Sequence, residues 1–215
     1  MGLELDWDSG PLEEGGLRVH HKTERRVIAD ETVRPSAWSN WTDVAAAVPW
    51  GPGRAVGEFQ GEVWRYDYET DVWFDSWRLE GLLGYRWGDI LSASWLLGVA
   101  GEHLDAGDSP DTYQQWGLRA GVDAFGLDLS GSLAVEYGRR FYRDPTIVLD
   151  DGTVTGEPFA LYSDFNYWKV WLTGSWRISE AFSCEALASY EPERHTEPAD
   201  DSSLGFVNLR VVWRP

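Results

Sequence analysis

Charged residues of both signs recur at even spacings between residues 78 and 210 of this 215-residue chain. Arg78 and Glu80 stand two positions apart, and Arg119 and Asp123 stand four positions apart. Even spacing places side chains on one face of an extended strand. An enclosed face with both signs can form ion pairs, which it requires because an unpaired buried charge is costly. Such a face could line a hydrated path for ions or small solutes, or fill an interior with ion pairs. Its members are Arg78, Glu80, Arg86, Glu102, Arg119, Asp123, Asp128, Glu136, Arg140, Lys169, Arg177, Glu185 and Arg210.

Carboxylates dominate three long segments rich in turn residues, at 104–112, 144–163 and 191–203. Carboxylate oxygens are ligands for Ca²⁺, so a weak Ca²⁺ site could form at Asp150 and Asp151. The same charge could attract cationic solutes, or could simply keep the loops solvated. Asp150-Asp151-Gly152 lacks the remaining ligand spacing of an EF-hand loop.

The four histidines are the other candidates for chemistry. His20 and His21 are adjacent, so on a strand they point to opposite faces and cannot easily share a metal. His103 with Asp105, or His195 with a loop carboxylate, could form the base of a hydrolase. No serine stands in a nucleophile-elbow context. We therefore name no catalytic residue, expect surface histidines, and keep a hydrolase as an alternative.

These side chains need a scaffold in which polar and apolar positions alternate. Residues 205–213 place Val207, Leu209 and Val211 on one face, against Asn208 and Arg210 on the other. Seven consecutive segments between residues 72 and 213 keep this period, which predicts strands with one apolar face and one polar face. Residues 17–28 and 55–68 also predict strands. Residues 36–48 predict either a strand or a short helix capped by Thr42.

The links between predicted strands are alternately tight and long. Tight links fall at 88–89, 125–126 and 179–180, and the long links are the acidic segments. In an up-and-down barrel this alternation gathers tight links at one rim and long links at the other. The sequence predicts an all-β, up-and-down antiparallel barrel of about ten strands, with twelve as the alternative. Residues 17–215 form the barrel, and residues 1–16 form an N-terminal periplasmic tail or plug.

Aromatic residues on the apolar face stand near the strand ends, with aliphatic residues between them. Two aromatic girdles around an apolar band are typical of a barrel whose exterior contacts lipid. A soluble lipocalin-type barrel would have the apolar face inside. We therefore predict a transmembrane barrel whose lumen is lined by the charged set. The predicted girdle residues are Trp73, Trp77, Trp87, Trp116, Trp168, Trp176 and Trp213.

Composition narrows the function classes further. The formal net charge of −18 argues against nucleic acid as a partner, because nucleic-acid binding needs a basic surface. One cysteine excludes an intrachain disulfide and a cysteine metal cluster. No apolar run is long enough for a transmembrane helix. The first residues lack a basic and then apolar leader. If the chain reaches an outer membrane, we expect the numbering to describe a mature or excised chain; the alternative is a cytosolic protein that never had a signal.

The chain resembles Gram-negative outer-membrane β-barrel proteins over about residues 55–215. The resemblance rests on the girdles, on the turn asymmetry and on the last strand, Phe206 to Trp213. That strand is similar to the C-terminal signal read by the barrel-assembly machinery, although Arg214 and Pro215 follow its aromatic residue. The resemblance implies a bacterial outer-membrane location. Its expected partners are the lipid bilayer, lipopolysaccharide, the barrel-assembly machinery and divalent cations, with no nucleic acid and no cofactor.

The expected function is a narrow pore, or a structural or docking barrel with acidic extracellular loops. Six inward cations predict a constricted interior, because barrels of this size enclose little more than side chains. They are Arg78, Arg86, Arg119, Lys169, Arg177 and Arg210. Three alternatives remain open: the C-terminal translocator barrel of a larger export protein, an outer-membrane hydrolase, and a soluble ligand-binding β-protein.

Overall fold

A computed structural model describes residues 2–12, 14–30, 34–68, 75–89, 92–107, 112–143, 147–148, 154–155, 164–195 and 198–213. A 3-10 turn at Pro198–Asp200 precedes the last strand. Within the described part of the chain, no helix is long and apolar enough to cross a membrane. The strands are β1 (Gly2–Asp8), β2 (Gly16–Arg26), β3 (Ala37–Trp50), β4 (Gly53–Tyr66), β5 (Ser76–Asp89), β6 (Ala93–Asp105), β7 (Tyr113–Phe125), β8 (Leu129–Tyr142), β9 (Ile147–Val148), β10 (Val154–Thr155), β11 (Phe165–Arg177), β12 (Phe182–His195) and β13 (Ser202–Trp213).

Eleven of these strands form one sheet, in the order in which they occur along the chain. Each pairs antiparallel with its neighbours, and β11 follows β8 because β9 and β10 form a separate two-stranded ribbon. The prediction of an all-β, up-and-down antiparallel architecture is confirmed. The count of eleven differs from both ten and twelve.

The additional strand is β1. Its residues, which we expected in a periplasmic tail or plug, pair with β2 from Gly2 opposite Glu24 to Asp8 opposite Arg18. The short alternating segment at residues 3–8 pairs because β2 offers it a complete edge. Whether β1 lies on the periplasmic side of a membrane stays a prediction.

Strand β3 replaces the short helix considered around Thr42. The Thr42 hydroxyl lies 2.8 Å from Nδ1 of His21 on β2, so it contacts a cross-strand neighbour and caps no helix. The alternation of polar and apolar residues from Tyr113 to Phe125 predicts a strand with the bounds of β7.

Short and long links lie at opposite rims of the sheet, as predicted. The tightest is Gly51-Pro52 between β3 and β4, where Gly51 adopts a φ of 58°, a left-handed conformation open to glycine. Because the sheet holds an odd number of strands, β1 and β13 run in the same direction, from the long-link rim to the short-link rim. The short links span 51–52, 90–92, 126–128 and 178–181, and the long links span 27–36, 67–75, 106–112, 143–164 and 196–201. The link 9–15 between β1 and β2 is an exception, because it lies at the short-link rim but is as long as 106–112.

The two faces of the sheet differ in burial, and the polar face is the more buried one. Leu97 and Leu118 on the apolar face are 55% and 63% exposed, whereas Gln115 and Glu136 on the polar face are 3% and 1% exposed. A flat single sheet would expose both faces alike. The sheet therefore curls around its polar face, here called the concave face, and presents its apolar face on the convex side.

The few buried apolar side chains of the strands also lie on the concave face. They are small or fit between polar neighbours, and they comprise Ala37, Ala47, Leu82, Ala100, Phe165 and Tyr167. Among the residues that the structure describes, no backbone pairing joins β1 to β13. Both edge strands are exposed along almost their whole length.

Candidate functional site on the concave face

The first centre of the concave face is the carboxylate of Glu102 on β6. Arg78 on β5 donates from Nε to Oε1 of Glu102 at 2.8 Å, and the Tyr113 hydroxyl on β7 donates to the same oxygen. A second nitrogen of Arg78 contacts Glu80 at 3.2 Å. The Glu102 side chain is buried, so these donors offset the cost of removing its charge from water.

The second centre is the carboxylate of Glu136 on β8. The Tyr167 hydroxyl donates to Oε1 at 2.7 Å, and Arg119 donates from Nε to Oε2 at 2.7 Å. Gly117 and Gly138 lie beside this contact, and a Cβ on either would crowd the Tyr167 hydroxyl. The two glycines therefore leave the space in which the Tyr167 ring reaches Glu136.

Arg140 on β8 lies between the two centres. It donates from Nε to Oε1 of Gln115 at 2.9 Å, and its guanidinium lies 4.2 Å from the ring centroid of Tyr113 and 5.1 Å from that of Phe165. Aromatic faces attract a guanidinium electrostatically, so the two rings stabilise its charge. Among the residues described, no carboxylate forms an ion pair with it.

Two further ion pairs extend the charged surface. Arg86 on β5 reaches across β6 to Asp123 on β7 at 2.7 Å, and Lys169 on β11 lies 3.5 Å from Glu191 on β12. Arg86 and Asp123 belong to strands that are not neighbours, so the concave face brings side chains together across an intervening strand.

A cavity of about 230 Å³ lies beside these pairs, toward β3 and β4. Its polar lining consists of Asp43, Glu58, Gln60, Glu80 and Arg119, and Arg119 is already bonded to Glu136. Three carboxylates and one cation therefore line the cavity.

Nine of the thirteen predicted lumen residues meet in this central region. Four lie elsewhere: Asp128 and Arg177 form an exposed pair at the short-link rim, and Glu185 and Arg210 form an exposed pair near the free edge of β13. Whether any of these residues lines a closed lumen stays a prediction. The central nine are Arg78, Glu80, Arg86, Glu102, Arg119, Asp123, Glu136, Arg140 and Lys169.

The charged set predicted from sequence includes Glu80 but omits Asp43 and Glu58, the other two carboxylates of the cavity. Glu58 and Gln60 alternate with Gly57 and Phe59 on β4, so the period that identified the other members was present there too. The sequence around Asp43 lacks this alternation of polar and apolar residues, because β3 is rich in alanine and small polar residues.

The described girdle tryptophans all project from the convex face and are exposed. Trp77 and Trp116 also border an apolar groove of about 440 Å³ on that face. Trp38, Trp50 and Trp95 are further exposed tryptophans that the girdle prediction omitted. Trp73 lies outside the described residues, as do the predicted Ca²⁺ ligands Asp150 and Asp151.

The two rim histidines occupy opposite faces. His103 lies on the convex face with its ring 4.6 Å from that of Trp77, and His195 lies against Phe165 on the concave face. Within the described residues, Nδ1 of His103 has no hydrogen-bond partner, so the predicted pairing with Asp105 is not seen there. The two histidines are separate candidate bases, and Nε2 of His195 lies 3.5 Å from Oε2 of Glu193. Whether either acts in a hydrolase stays a prediction.

No protein-family model matches the chain, and no curated protein is significantly similar to it in sequence. The functional argument therefore rests on the geometry of the two faces.

Proposed function

We propose that this chain is an outer-membrane β-barrel that acts as a narrow pore, with an ion-paired interior formed by the concave face. The observation that carries the proposal is the reversed burial of the two faces. Leucines are exposed on the convex face while Glu102, Gln115 and Glu136 are buried on the concave face. A protein folded in water by apolar burial would have the opposite distribution.

Lipid supplies the missing apolar environment. Burying one leucine or valine side chain contributes about 1.5–3 kcal/mol, and the convex face presents such side chains on most strands. In water a continuous apolar surface of this extent marks an interaction site. A bilayer covers the whole convex face at once.

The spacing of the tryptophans fits a bilayer. Trp77 and Trp87 stand near opposite ends of β5, ten residues apart. At about 3.4 Å per residue they are roughly 34 Å apart along the strand. With a tilt of about 35–45°, this gives roughly 24–28 Å along the membrane normal, close to the apolar band of known outer-membrane barrels at about 25 Å.

A bilayer also requires closure of the sheet, because each unpaired backbone group in hydrocarbon costs several kcal/mol. Strands β1 and β13 run in the same direction, so their pairing would be parallel and would give an eleven-stranded barrel. If β1 left the edge, β2 could pair antiparallel with β13 and give ten strands. Single-chain bacterial barrels have even strand numbers, as in the second arrangement. The β1–β2 pairing of this structure belongs to the first arrangement.

The interior of either barrel would be narrow. Ten or eleven strands enclose only slightly more space than the eight that side chains fill completely. The pairs around Glu102 and Glu136 occupy one side, and the acidic cavity at Asp43, Glu58 and Glu80 leaves room on the other. Small cations are the solutes that this arrangement favours.

Refolding into detergent, followed by single-channel recording in a planar bilayer, tests the proposal. We expect heat-modifiable gel mobility, which reports a detergent-stable barrel, and a small cation-preferring conductance. Glu80→Gln should reduce the cation preference, while Glu185→Gln, near the exposed edge, should leave it unchanged. A chain that is monodisperse in buffer without detergent would overturn the membrane assignment. A folded barrel without conductance would overturn the pore and retain the structural role.

A further inference from the structure

A group of metal-ligating side chains lies at the β1 edge of the sheet, away from the ion-paired centres, on the concave side of β1 and β2. Nδ1 of His20 lies 2.6 Å from Oδ1 of Asp6, and the ligand atoms of Glu4, Asp6 and His20 all lie within 4.8 Å of one another. An imidazole nitrogen with carboxylate oxygens is a donor set that Zn²⁺ accepts.

Strand register assembles this group. Glu4 and Asp6 are two residues apart, so both point to the concave side of β1. Asp6 stands directly opposite His20, and His20 stands directly opposite Asp43 on β3. The His20 ring also meets the Trp41 ring edge-on at 5.6 Å, which fixes its orientation.

The adjacent histidine takes no part. His21 points to the convex face, where its two ring nitrogens lie 2.8 Å from the Thr42 hydroxyl and 3.1 Å from the Thr23 hydroxyl. Adjacent histidines on a strand cannot share a metal, so His21 is not a second ligand beside His20. The further ligands are the carboxylates of Glu4 and Asp6 on the paired strand.

We propose that Glu4, Asp6 and His20 bind one divalent transition-metal ion of the Zn²⁺ class. Ligand distances of about 2.0–2.2 Å place tetrahedral ligands roughly 3.3 Å apart. The Asp6–His20 contact opens slightly to admit the ion, and the Glu4 carboxylate moves inward. The Asp6 side chain is 75% exposed, so this rearrangement meets little resistance. Three protein ligands leave a fourth position for water or for Asp43.

A bound ion would fasten the short edge strand β1 to β2. Nδ1 must be unprotonated to bind the ion, so the ion takes the place of the hydrogen bond between Asp6 and His20. Neighbouring cations do not occupy the group: Lys22, opposite Glu4, contacts Glu24 at 3.2 Å, and Arg18 lies 3.6 Å from Asp8. The site requires β1 to stay paired with β2, as it is in this structure, so it is compatible only with the eleven-stranded arrangement. It does not depend on whether the interior conducts ions.

Titration calorimetry of the full chain with zinc chloride tests the site. We expect one ion per chain, with affinity at least about tenfold weaker in His20→Ala and in Asp6→Asn. The matched control is His21→Ala, which removes the adjacent histidine and should leave the affinity unchanged. Asp6→Asn keeps a side chain of the same shape, so lost binding there cannot be ascribed to a lost strand.

Amide hydrogen exchange provides an independent readout. Zinc should slow exchange on β1 in the wild-type chain and in His21→Ala, and should have no such effect in His20→Ala. Equal zinc affinity in the wild type and His20→Ala would overturn the site. So would an equal loss of affinity in His21→Ala, because the ion would then be bound by the histidine pair.

Discussion

The centre of the sheet and its β12–β13 edge carry the same chemistry in different surroundings. At the centre, Glu136 accepts hydrogen bonds from Arg119 and Tyr167, and its side chain is 2% exposed. Near the edge, Glu185 pairs with Arg210 at 3.6 Å, and its side chain is 47% exposed. Both pairs join cross-strand neighbours on the concave face. The difference comes from the strands that flank each pair on both sides, which the edge lacks.

Forming an ion pair and burying it are therefore separate properties of this sheet. An ion pair on a solvated strand contributes about 0–1 kcal/mol, because water screens its charges. The same pair in an enclosed face is held by neighbours, and loss of one partner leaves a desolvated charge. Curvature of the sheet, more than the identity of the pair, decides which case applies.

The largest expected effect comes from breaking the central pair. Glu136→Ala leaves Arg119 and Tyr167 without their acceptor in a buried site, and we expect it to lower the free energy of unfolding by about 3–5 kcal/mol. Glu185→Ala, the matched change near the edge, should cost less than about 1 kcal/mol. Denaturant unfolding followed by gel mobility measures both. Equal costs would mean that the concave centre is as solvated as the edge.

A smaller effect is expected from charging the convex face. Leu97→Lys places an ammonium group in the predicted apolar band, and in lipid it should lower the free energy of unfolding by about 2–4 kcal/mol. Ser132→Lys places the same group on the concave face and should cost much less. Unfolding from vesicles measures the two variants under one condition. A larger cost for Ser132→Lys would contradict the lipid-facing assignment of the convex side.

The period-two pattern predicted most of the strands and the face on which each charge lies. It could not predict which charges are buried, because burial depends on the curl of the sheet and on the distance to an edge. Asp128 and Glu185 follow the same alternation as Glu102 and Glu136, yet both are exposed.

Register was the second quantity that local pattern could not supply. His20 gains Asp6 as a neighbour only because β1 pairs with β2, and the two residues are separated by fourteen positions in sequence. Strand β1 has seven residues, so its alternation of apolar and polar residues alone did not predict a strand. The evidence for the strand is its pairing with the longer β2.

The least perturbing test concerns the edges themselves, because exposed edge positions tolerate cysteine. In a Cys184→Ser background, Leu5→Cys on β1 is combined in turn with cysteine at Val207, Leu209 or Val211 on β13. All these side chains lie on the convex side and are exposed. If β1 and β13 pair in parallel, at least one combination should form a disulfide, which requires Cα atoms about 4.4–6.8 Å apart.

The matched series replaces Leu5→Cys by His21→Cys, which stands directly opposite Leu5 on β2. Disulfides in this series alone would mean that β1 leaves the edge and that β2 closes a ten-stranded barrel with β13. Disulfides in neither series, in protein folded in detergent, would mean that both edges stay open. Unpaired edges in hydrocarbon are too costly to persist, so that result would remove the barrel and the pore together.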